Sequence, residues 1–306
     1  MTILLAGCGD IGSEAGLRFA AAGQRVVGWR RSPEKLPAWV EGVTADLSSA
    51  ELPPIPADTS VVVVAVAADS PTEATYRAAY VDGLAHVLDA LERDGVMPRR
   101  VLFVSSTAVY GDAGGGWVDE STTAAPGGFS GRILREAEEL LFQRLSGTSA
   151  VPVVLRLGGI YGPGRTRLID QVRGGSAVIP AEPRYTNRIH RDDAAAAIVR
   201  LCTMAAQPAS VYIGVDNDPA ELAEVLRFLA TEVGVAAPGL EAVGPGAVGL
   251  GTPPSGVTAV KGAGEARGGN KRCSNALLRG TGFEFAFPSF REGYRAILAG
   301  TGVRHP

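Results

Sequence analysis

Residues 1–23 read MTILLAGCGDIGSEAGLRFAAAG: an apolar run, a glycine-rich turn and an amphipathic segment in direct succession. Residues 2–7 have the length and composition of a buried first strand. Residues 13–23 carry small and apolar side chains at helical spacing and predict the helix that follows. The chain therefore opens with a strand, a turn and a helix.

The turn of this unit has G-x-G-x-x-G spacing, formed by Gly7, Gly9 and Gly12. Such a turn lets the backbone come close to a pyrophosphate, while the amides and dipole of the following helix favour the anion. Because glycine is abundant in this chain, the spacing alone is weak, and its position between strand and helix gives it weight. We expect a dinucleotide site here that also includes Asp10 and Ile11.

Apolar runs alternate with helical patterns through the first two hundred residues. Strands buried on both faces are typical of parallel sheets covered by helices, so the pattern predicts an α/β fold with a Rossmann-type doubly wound parallel sheet. The predicted strands are 2–7, 24–29, 60–68, 100–106 and 152–158, and the predicted helices between them are 13–23, 72–95 and 132–145.

The alternation ends near residue 165, which suggests two regions. We predict a dinucleotide-binding domain over 1–165, with 188–205 packing back on it. Residues 166–187 and 206–306 would form a small C-terminal substrate-binding region. Within it, the glycine- and proline-rich stretch 238–269 is either a mobile flap or a floppy insertion.

Composition narrows the class of protein. The chain has 306 residues, 29 basic and 32 acidic side chains and a formal charge of −3, so no surface for nucleic acid or an anionic membrane is indicated. The most apolar run, 60–68, is too short for a membrane helix. Cys8, Cys202 and Cys273 are far apart, which argues against disulfides and a zinc site and fits the cytoplasm. We expect a small-molecule partner and no bound metal.

Arg30 and Arg31 follow the second predicted strand. A fold that prefers NAD usually has an acidic residue there, whereas guanidinium groups suit a ribose 2′-phosphate. NADP is therefore expected as the cofactor, with NAD second, unless these are two solvated surface arginines. Asp46, after the third predicted strand, would either bond the adenine amine or cap a turn.

Further segments follow one another along the chain in a recognisable order. They are ADL (45–47), AYVDG (79–83), VSSTAVYGD (104–112), VDE (118–120), LRLGGIYGPGR (155–165), RIHRDDAAAAIV (189–199) and the C-terminal stretch 268–294. With these segments the chain resembles the extended short-chain dehydrogenases/reductases, the NAD-dependent epimerase/dehydratase family, and its C-terminal segment resembles an atypical bacterial subgroup. The resemblance implies a Rossmann domain, a small substrate domain and a cleft between them.

The resemblance also implies where a coenzyme would lie. Its nicotinamide would face the ends of the central strands near Ser106 and the turn 157–160. Family members often form homodimers through two long helices, here 73–94 and 132–145. Further coenzyme contacts are implied for Leu47, Val66, Ala67, Ser105, Gly158 and Ile160.

The family's Tyr-x-x-x-Lys pair is missing from the segment where it belongs. Aligned on residues 136–138, Ser130 takes the tyrosine position and Leu134 the lysine position. A shift by one residue offers only Phe129 and Ile133. In the family the tyrosine moves the alcohol proton and the lysine lowers its pKa, and such an acid/base contributes roughly 10²–10⁴ in rate. We expect this helix to support the sheet and shape the pocket.

Other side chains would then have to carry the proton. The resemblance offers Tyr110 and His190 first and Tyr161 after them, while Ser106 would bond a substrate carbonyl. The alternative for Tyr110 is a packing aromatic at the rim. The alternative for His190 is that it orients the turn before a helix capped by Asp192 or Asp193. Substrate contacts are expected from Ser130, Tyr161, Arg165, Asn187, Arg188 and Lys271, unless Tyr161 packs at the rim and the charged residues are ordinary surface groups.

Two functions remain open from the sequence. The first is an NADP-dependent oxidoreductase or epimerase acting on a small carbonyl or hydroxyl compound. The second is a non-catalytic NADP-binding sensor or regulatory protein. The missing pair favours the second, whereas the hydroxyl side chains at 105–107 favour the first.

Overall fold

The computed structural model describes residues 1–241 and 269–306. Most of the glycine- and proline-rich stretch 238–269 lies outside the described residues. In chain order the strands are β1 (Thr2–Ala6), β2 (Arg25–Arg30), β3 (Glu41–Thr44), β4 (Thr59–Val64), β5 (Arg100–Ser106), β6 (Trp117–Val118), β7 (Val151–Leu157), β8 (Gly159–Tyr161), β9 (Tyr185–Thr186), β10 (Arg188–His190), β11 (Val211–Gly214), β12 (Ala220–Glu221) and β13 (Arg272–Cys273).

The helices follow the predicted alternation in the first two hundred residues. A π-helical segment, Arg77–Asp82, joins the second helix to the third. The α-helices are α1 (Asp10–Ala21), α2 (Glu73–Tyr76), α3 (Gly83–Arg93), α4 (Phe129–Leu145), α5 (Arg167–Arg173), α6 (Arg191–Thr203), α7 (Leu222–Val233), α8 (Ala276–Gly280) and α9 (Phe290–Leu298).

Seven strands form one parallel sheet in the order β11-β7-β5-β4-β1-β2-β3. The chain moves outward from β1 to β3 and then returns to place β4 on the other side of β1. The strand order therefore reverses between β1 and β4, and open α/β sheets bind their ligands beside such a point, outside the carboxyl ends of the strands.

The alternation of side chains along β1 explains how both faces are covered. Ile3 and Leu5 point to a core that includes residues of α1 and α6, whereas Leu4 and Ala6 point to a core that includes residues of α3 and α4. All four side chains are essentially buried, as expected when successive residues of a strand face opposite sides. This confirms the predicted doubly wound α/β fold.

A third apolar cluster lies apart from these two cores. It joins α5, α7 and α9 with Tyr161 and Ile179. Apart from Tyr161, its residues lie in the stretches 166–187 and 206–306, which the sequence analysis assigned to a C-terminal region. The proposed domain boundaries remain a prediction.

Two details differ from the sequence-based expectation. The strand expected over 60–68 ends at Val64, so the following residues are free to line a crevice. β11 was not predicted, although it completes the sheet beside β7. Within residues 1–241 and 269–306, no helix combines the length and the apolar character needed to cross a membrane.

Candidate functional site

A crevice of about 910 Å³ opens outside the carboxyl ends of the central strands. Its volume falls in the range of small-molecule and cofactor sites. Sequence-predicted residues that line it are Gly7, Gly9, Asp10, Ile11, Arg30, Arg31, Asp46, Leu47, Val66, Ala67, Ser105, Ser106, Ser130, Gly158, Ile160 and Arg165.

The glycine turn forms one end of the crevice. Gly7 has φ +79°, and a Cβ added there would lie 2.7 Å from Cγ1 of Val66. A Cβ on Gly9 would meet no atom within 4 Å, so this glycine leaves open space in front of α1. Gly12 does not line the crevice; a Cβ there would lie 3.4 Å from Sγ of Cys8.

Asp10, the first residue of α1, is held by cations from distant parts of the chain. Its carboxylate accepts hydrogen bonds from Nε of Arg165 and Nη1 of Arg191, both at 2.9 Å. The backbone N–H of His305 donates a third bond at 3.2 Å. Asp10 therefore ties the glycine turn to α6 and to the C-terminal segment, and its oxygens are already engaged.

Basic side chains gather where β2 ends. Arg30 lines the crevice, and its Nη1 donates to the carbonyl oxygen of Pro306 at 2.9 Å. Arg31 forms two hydrogen bonds of 2.7 Å with Asp69, which lower the pKa of that carboxyl. Lys35 also lines this corner and was missed in the sequence, because a single lysine in a short 3-10 helix has no spacing signal.

Asp46 also lines the crevice and closes a turn. Its carboxylate accepts bonds from the hydroxyl and the backbone N–H of Ser48 at 2.7 and 3.0 Å, and these lower its pKa. Of the two roles expected for this residue, the structure shows the turn. The adjacent Leu47 and Ser48 are crevice residues as well.

The other half of the crevice lies beyond β5 and β7. Ser106 is half-buried, and its hydroxyl accepts a hydrogen bond from the backbone N–H of Ala108 at 3.2 Å. From the first turns of α4, Ser130 and Leu134 reach the crevice wall. A hydroxyl and an isobutyl group therefore form this part of the crevice wall.

A buried ionic network lies beneath this half. The fully buried Glu138 accepts from the Ser105 hydroxyl at 2.6 Å and from two nitrogens of Arg156 at 2.9 and 2.6 Å. The third nitrogen of Arg156 donates to the Tyr110 hydroxyl at 2.8 Å. Tyr110 is 3% exposed, does not line the crevice, and has its pKa raised to about 12 by burial. Its expected contact with substrate is therefore not found.

His190 likewise lies outside the crevice. Its Nδ1 accepts the backbone N–H of Asp192 at 3.2 Å, so His190 itself caps α6, contrary to the expected aspartate cap. Its ring packs at 3.8 Å on Phe287 and edge-on against Tyr161, and burial lowers its pKa to about 4. Asp193 instead accepts the backbone N–H groups of Ala286 and Phe287.

Four residues that were expected to contact substrate instead make contacts within the protein. Tyr161 is buried in the third apolar cluster. Lys271 is 1% exposed and donates to the carbonyl of Gly111 at 2.9 Å, and burial lowers its pKa. Asn187 bridges backbone groups of Lys271 and Cys273, and Arg188 is buried over the ring of Phe290. Internal hydrogen bonding explains these residues better than either substrate binding or surface charge.

Two tyrosines of the crevice were not predicted from the sequence. Tyr76 and Tyr80 line its wall from α2 and the π-helical segment. The sequence predicted only a helix over 72–95 for this part of the chain. Among the described residues, no cluster of three or more His, Cys, Asp or Glu side chains is arranged to hold a metal ion.

The parallel sheet, and the crevice at the point where its strand order reverses, define a Rossmann-type α/β protein. The chain belongs to the NAD dependent epimerase/dehydratase family, whose model matches residues 3–214. This confirms the resemblance noted from the sequence.

Particular relatives extend the comparison. A Methylobacillus flagellatus structure described with the same family name is 37% identical, with a TM-score of 0.74 over 98% of both chains. The UDP-glucose 4-epimerase of Thermus thermophilus, solved with NAD, is 19% identical with a TM-score of 0.74 over 98% of both chains, which shows a shared fold. Protein YeeZ of Escherichia coli strain K12 is 41% identical over 102 residues, 33% of this chain and 35% of YeeZ, so the match spans about a third of that relative.

Proposed function

We propose that this protein is an NADP-dependent oxidoreductase or epimerase that acts on a small carbonyl or hydroxyl compound. The observation that carries the proposal is the crevice at the point where the strand order reverses. It has the glycine turn at one end and hydroxyl side chains at the other. Family membership supports a nicotinamide dinucleotide as the coenzyme.

The residues present fit such a coenzyme. The space in front of Gly9 would admit a pyrophosphate at the N-terminus of α1, where backbone N–H groups and the helix dipole favour an anion. Gly7 provides the tight turn that brings the backbone forward. When bound, the nicotinamide would supply hydride chemistry, while Ser106 and the turn after β7 would orient the reacting groups.

NADP preference is the finer part of the proposal. Arg30, Arg31 and Lys35 lie together in the corner that follows β2, and their charges complement a 2′-phosphate. Asp69 opposes this effect. Its bonds with Arg31 are solvent-exposed, however, and exposed ion pairs typically contribute only about 0–1 kcal/mol. Arg31 can therefore exchange Asp69 for a 2′-phosphate at little cost.

Arg30→Ala tests this preference. We expect NADPH affinity to fall about 10- to 100-fold, as when a charge-assisted bond of roughly 1.5–3 kcal/mol is lost. NADH affinity should change little, because NADH has no 2′-phosphate. Calorimetric titration with both coenzymes measures the effect, and an equal loss for both would contradict the assignment.

The alternative, a non-catalytic NADP-binding sensor, is favoured by one observation: Tyr110 and His190 are buried away from the crevice. Incubation with NADPH and a panel of aldehydes, ketones and keto sugars separates the two functions. Oxidation of NADPH that depends on the added carbonyl supports the enzyme. Tight binding of NADPH without turnover supports the sensor.

We further propose that its partners are small molecules and copies of itself, with no nucleic acid or membrane involved. The helices over 73–94 and 132–145, expected to form a homodimer interface, lie side by side, with Arg144 ion-paired to Asp89 and Glu92. Cytoplasmic localisation is proposed because all three cysteines are free thiols buried in the fold.

A further inference from the structure

The proposed reaction needs a proton donor, and most polar side chains of the crevice are excluded by their contacts. Asp10 is held by two guanidinium groups. The hydroxyl of Ser105 donates to Glu138, and that of Thr75 donates to the carbonyl of Ser70. Asp46 and Asp69 lie with the arginines at the opposite half of the crevice from Ser106 and Ser130.

Besides the hydroxyls of Ser106 and Ser130, the crevice wall carries two phenols, Tyr76 and Tyr80. The Tyr76 ring meets the ring of Phe129 edge-on, with 5.4 Å between centroids and an interplanar angle of 84°. Phe129 directly precedes Ser130, so Tyr76 stands at the end of the crevice where the missing phenol of the family would act. Burial raises the pKa of Tyr80 to about 12, which makes it a weaker acid than an ordinary phenol.

The position of Tyr76 is fixed by its neighbours. Arg77 forms two hydrogen bonds with Glu136, at 2.6 and 2.8 Å, which join this segment to α4. Thr72 caps α2 through its side chain, and the Tyr80 ring lies 5.3 Å from that of Tyr76. The phenol is half-buried in the crevice wall, so one side of it stays open to a ligand.

We propose that Tyr76 is the proton donor of this site in the reduction of an aldehyde or ketone. The inference rests on the proposed oxidoreductase function and replaces Tyr110 and His190 in the catalytic role. Because Tyr76 belongs to α2, the phenol approaches the reacting carbonyl from a different element than the family's tyrosine, which belongs to the helix corresponding to α4.

Electrons and protons balance in this step. A bound reduced coenzyme would supply the hydride, and with it two electrons, to the carbonyl carbon. The C=O π electrons move to oxygen, and the Tyr76 O–H bond breaks as its proton joins that oxygen to form the alcohol. Water then returns a proton to the phenolate.

Fluorine NMR of protein labelled with 3-fluorotyrosine tests the placement without a substrate. The chain has seven tyrosines, and single Tyr→Phe variants assign their signals one by one. If Tyr76→Phe fails to fold, the variants at the other tyrosines leave the Tyr76 signal as the one not yet assigned. Exchange of NADPH for NADP⁺ adds a positive charge to the nicotinamide, and the Tyr76 signal should move more than the signals of Tyr110 and Tyr185. An unchanged Tyr76 signal, with both coenzymes bound, would overturn the proposal.

Kinetics provide the second readout. Tyr76→Phe should lower the rate of carbonyl-dependent NADPH oxidation by about 10²–10⁴, with NADPH affinity unchanged. Tyr110→Phe and Tyr185→Phe, outside the crevice, should keep the rate. Full activity of Tyr76→Phe would overturn the assignment. Calorimetry that detects no binding of either coenzyme would instead overturn the proposed function itself, and the two failures are thereby distinguished.

Discussion

Tyr110, His190 and Lys271 show how burial changes the role of a titratable side chain. Each has the chemistry of a catalytic or binding group, yet each is at most 3% exposed. The three have found partners inside the protein: a guanidinium, a backbone N–H and a carbonyl. Their ionisation is therefore coupled to folding.

For His190, the lowered pKa determines how the free energy of unfolding changes with pH. Burial lowers its pKa from 6.5 to about 4, so the unfolded chain binds more protons than the folded chain between these values. Its contribution to stability is complete above pH 6.5 and is lost as pH falls toward 4. From this residue we expect the free energy of unfolding to fall by about 2 kcal/mol between pH 7.5 and pH 5.

The matched variant is His190→Asn, because asparagine keeps a side-chain cap for α6 but does not titrate. Urea unfolding at both pH values measures the effect. The loss of stability on acidification should be smaller in the variant, and this difference removes the contributions of other groups, such as the buried Asp216. Equal losses in the two proteins would show that His190 does not titrate as described.

The strand–turn–helix unit depends on the backbone conformation of one glycine. At Gly7, φ is +79°, and an added Cβ would contact Val66 at 2.7 Å and the carbonyl oxygen of Ala65 at 3.1 Å. Gly23, after the same helix, has φ +77° but no atom within 4 Å of an added Cβ. A comparison of Gly7 with Gly23 therefore separates the effect of backbone strain from that of steric overlap.

Both Gly7→Ala and Gly23→Ala should lose about 1–2 kcal/mol through the left-handed conformation. Gly7→Ala should lose about 1–3 kcal/mol more, because the β1–α1 turn and the segment after β4 must move apart. Chemical denaturation of the two variants measures the difference. If they were equally stable, close packing between the turn and the segment after β4 would not be what requires glycine at position 7.

The elements of the first half could be predicted because their signals are local. The apolar run 2–7 and the glycine spacing each lie within a few residues, and so does the helical period of 132–145. The buried strand β11 follows a loop and has only four residues, so its pattern could not be distinguished from other short apolar runs. Tyr76 had no local signal either, because its relation to Ser130 arises from the packing of α2 on α4.

The C-terminal segment brings together parts of the chain that are far apart in sequence. Arg191 donates to the carbonyl of Val303, His305 bonds Glu14, and Arg30 bonds Pro306. These contacts join the first turn of α1 to a segment almost three hundred residues away. No pattern within the sequence could predict them, since each side chain by itself is an ordinary polar residue.

The crevice in front of α1 is the proposed site of a nicotinamide dinucleotide. Gly9 tests this proposal most directly, because its φ of −86° is open to alanine and an added Cβ meets no protein atom within 4 Å. The measurement is calorimetric titration of NADPH into the wild type and Gly9→Ala, with thermal unfolding of both. We expect binding by the wild type, lost or strongly weakened binding by the variant, and nearly equal melting temperatures. Absence of binding by the wild type, or equal binding by both proteins, would contradict the proposal.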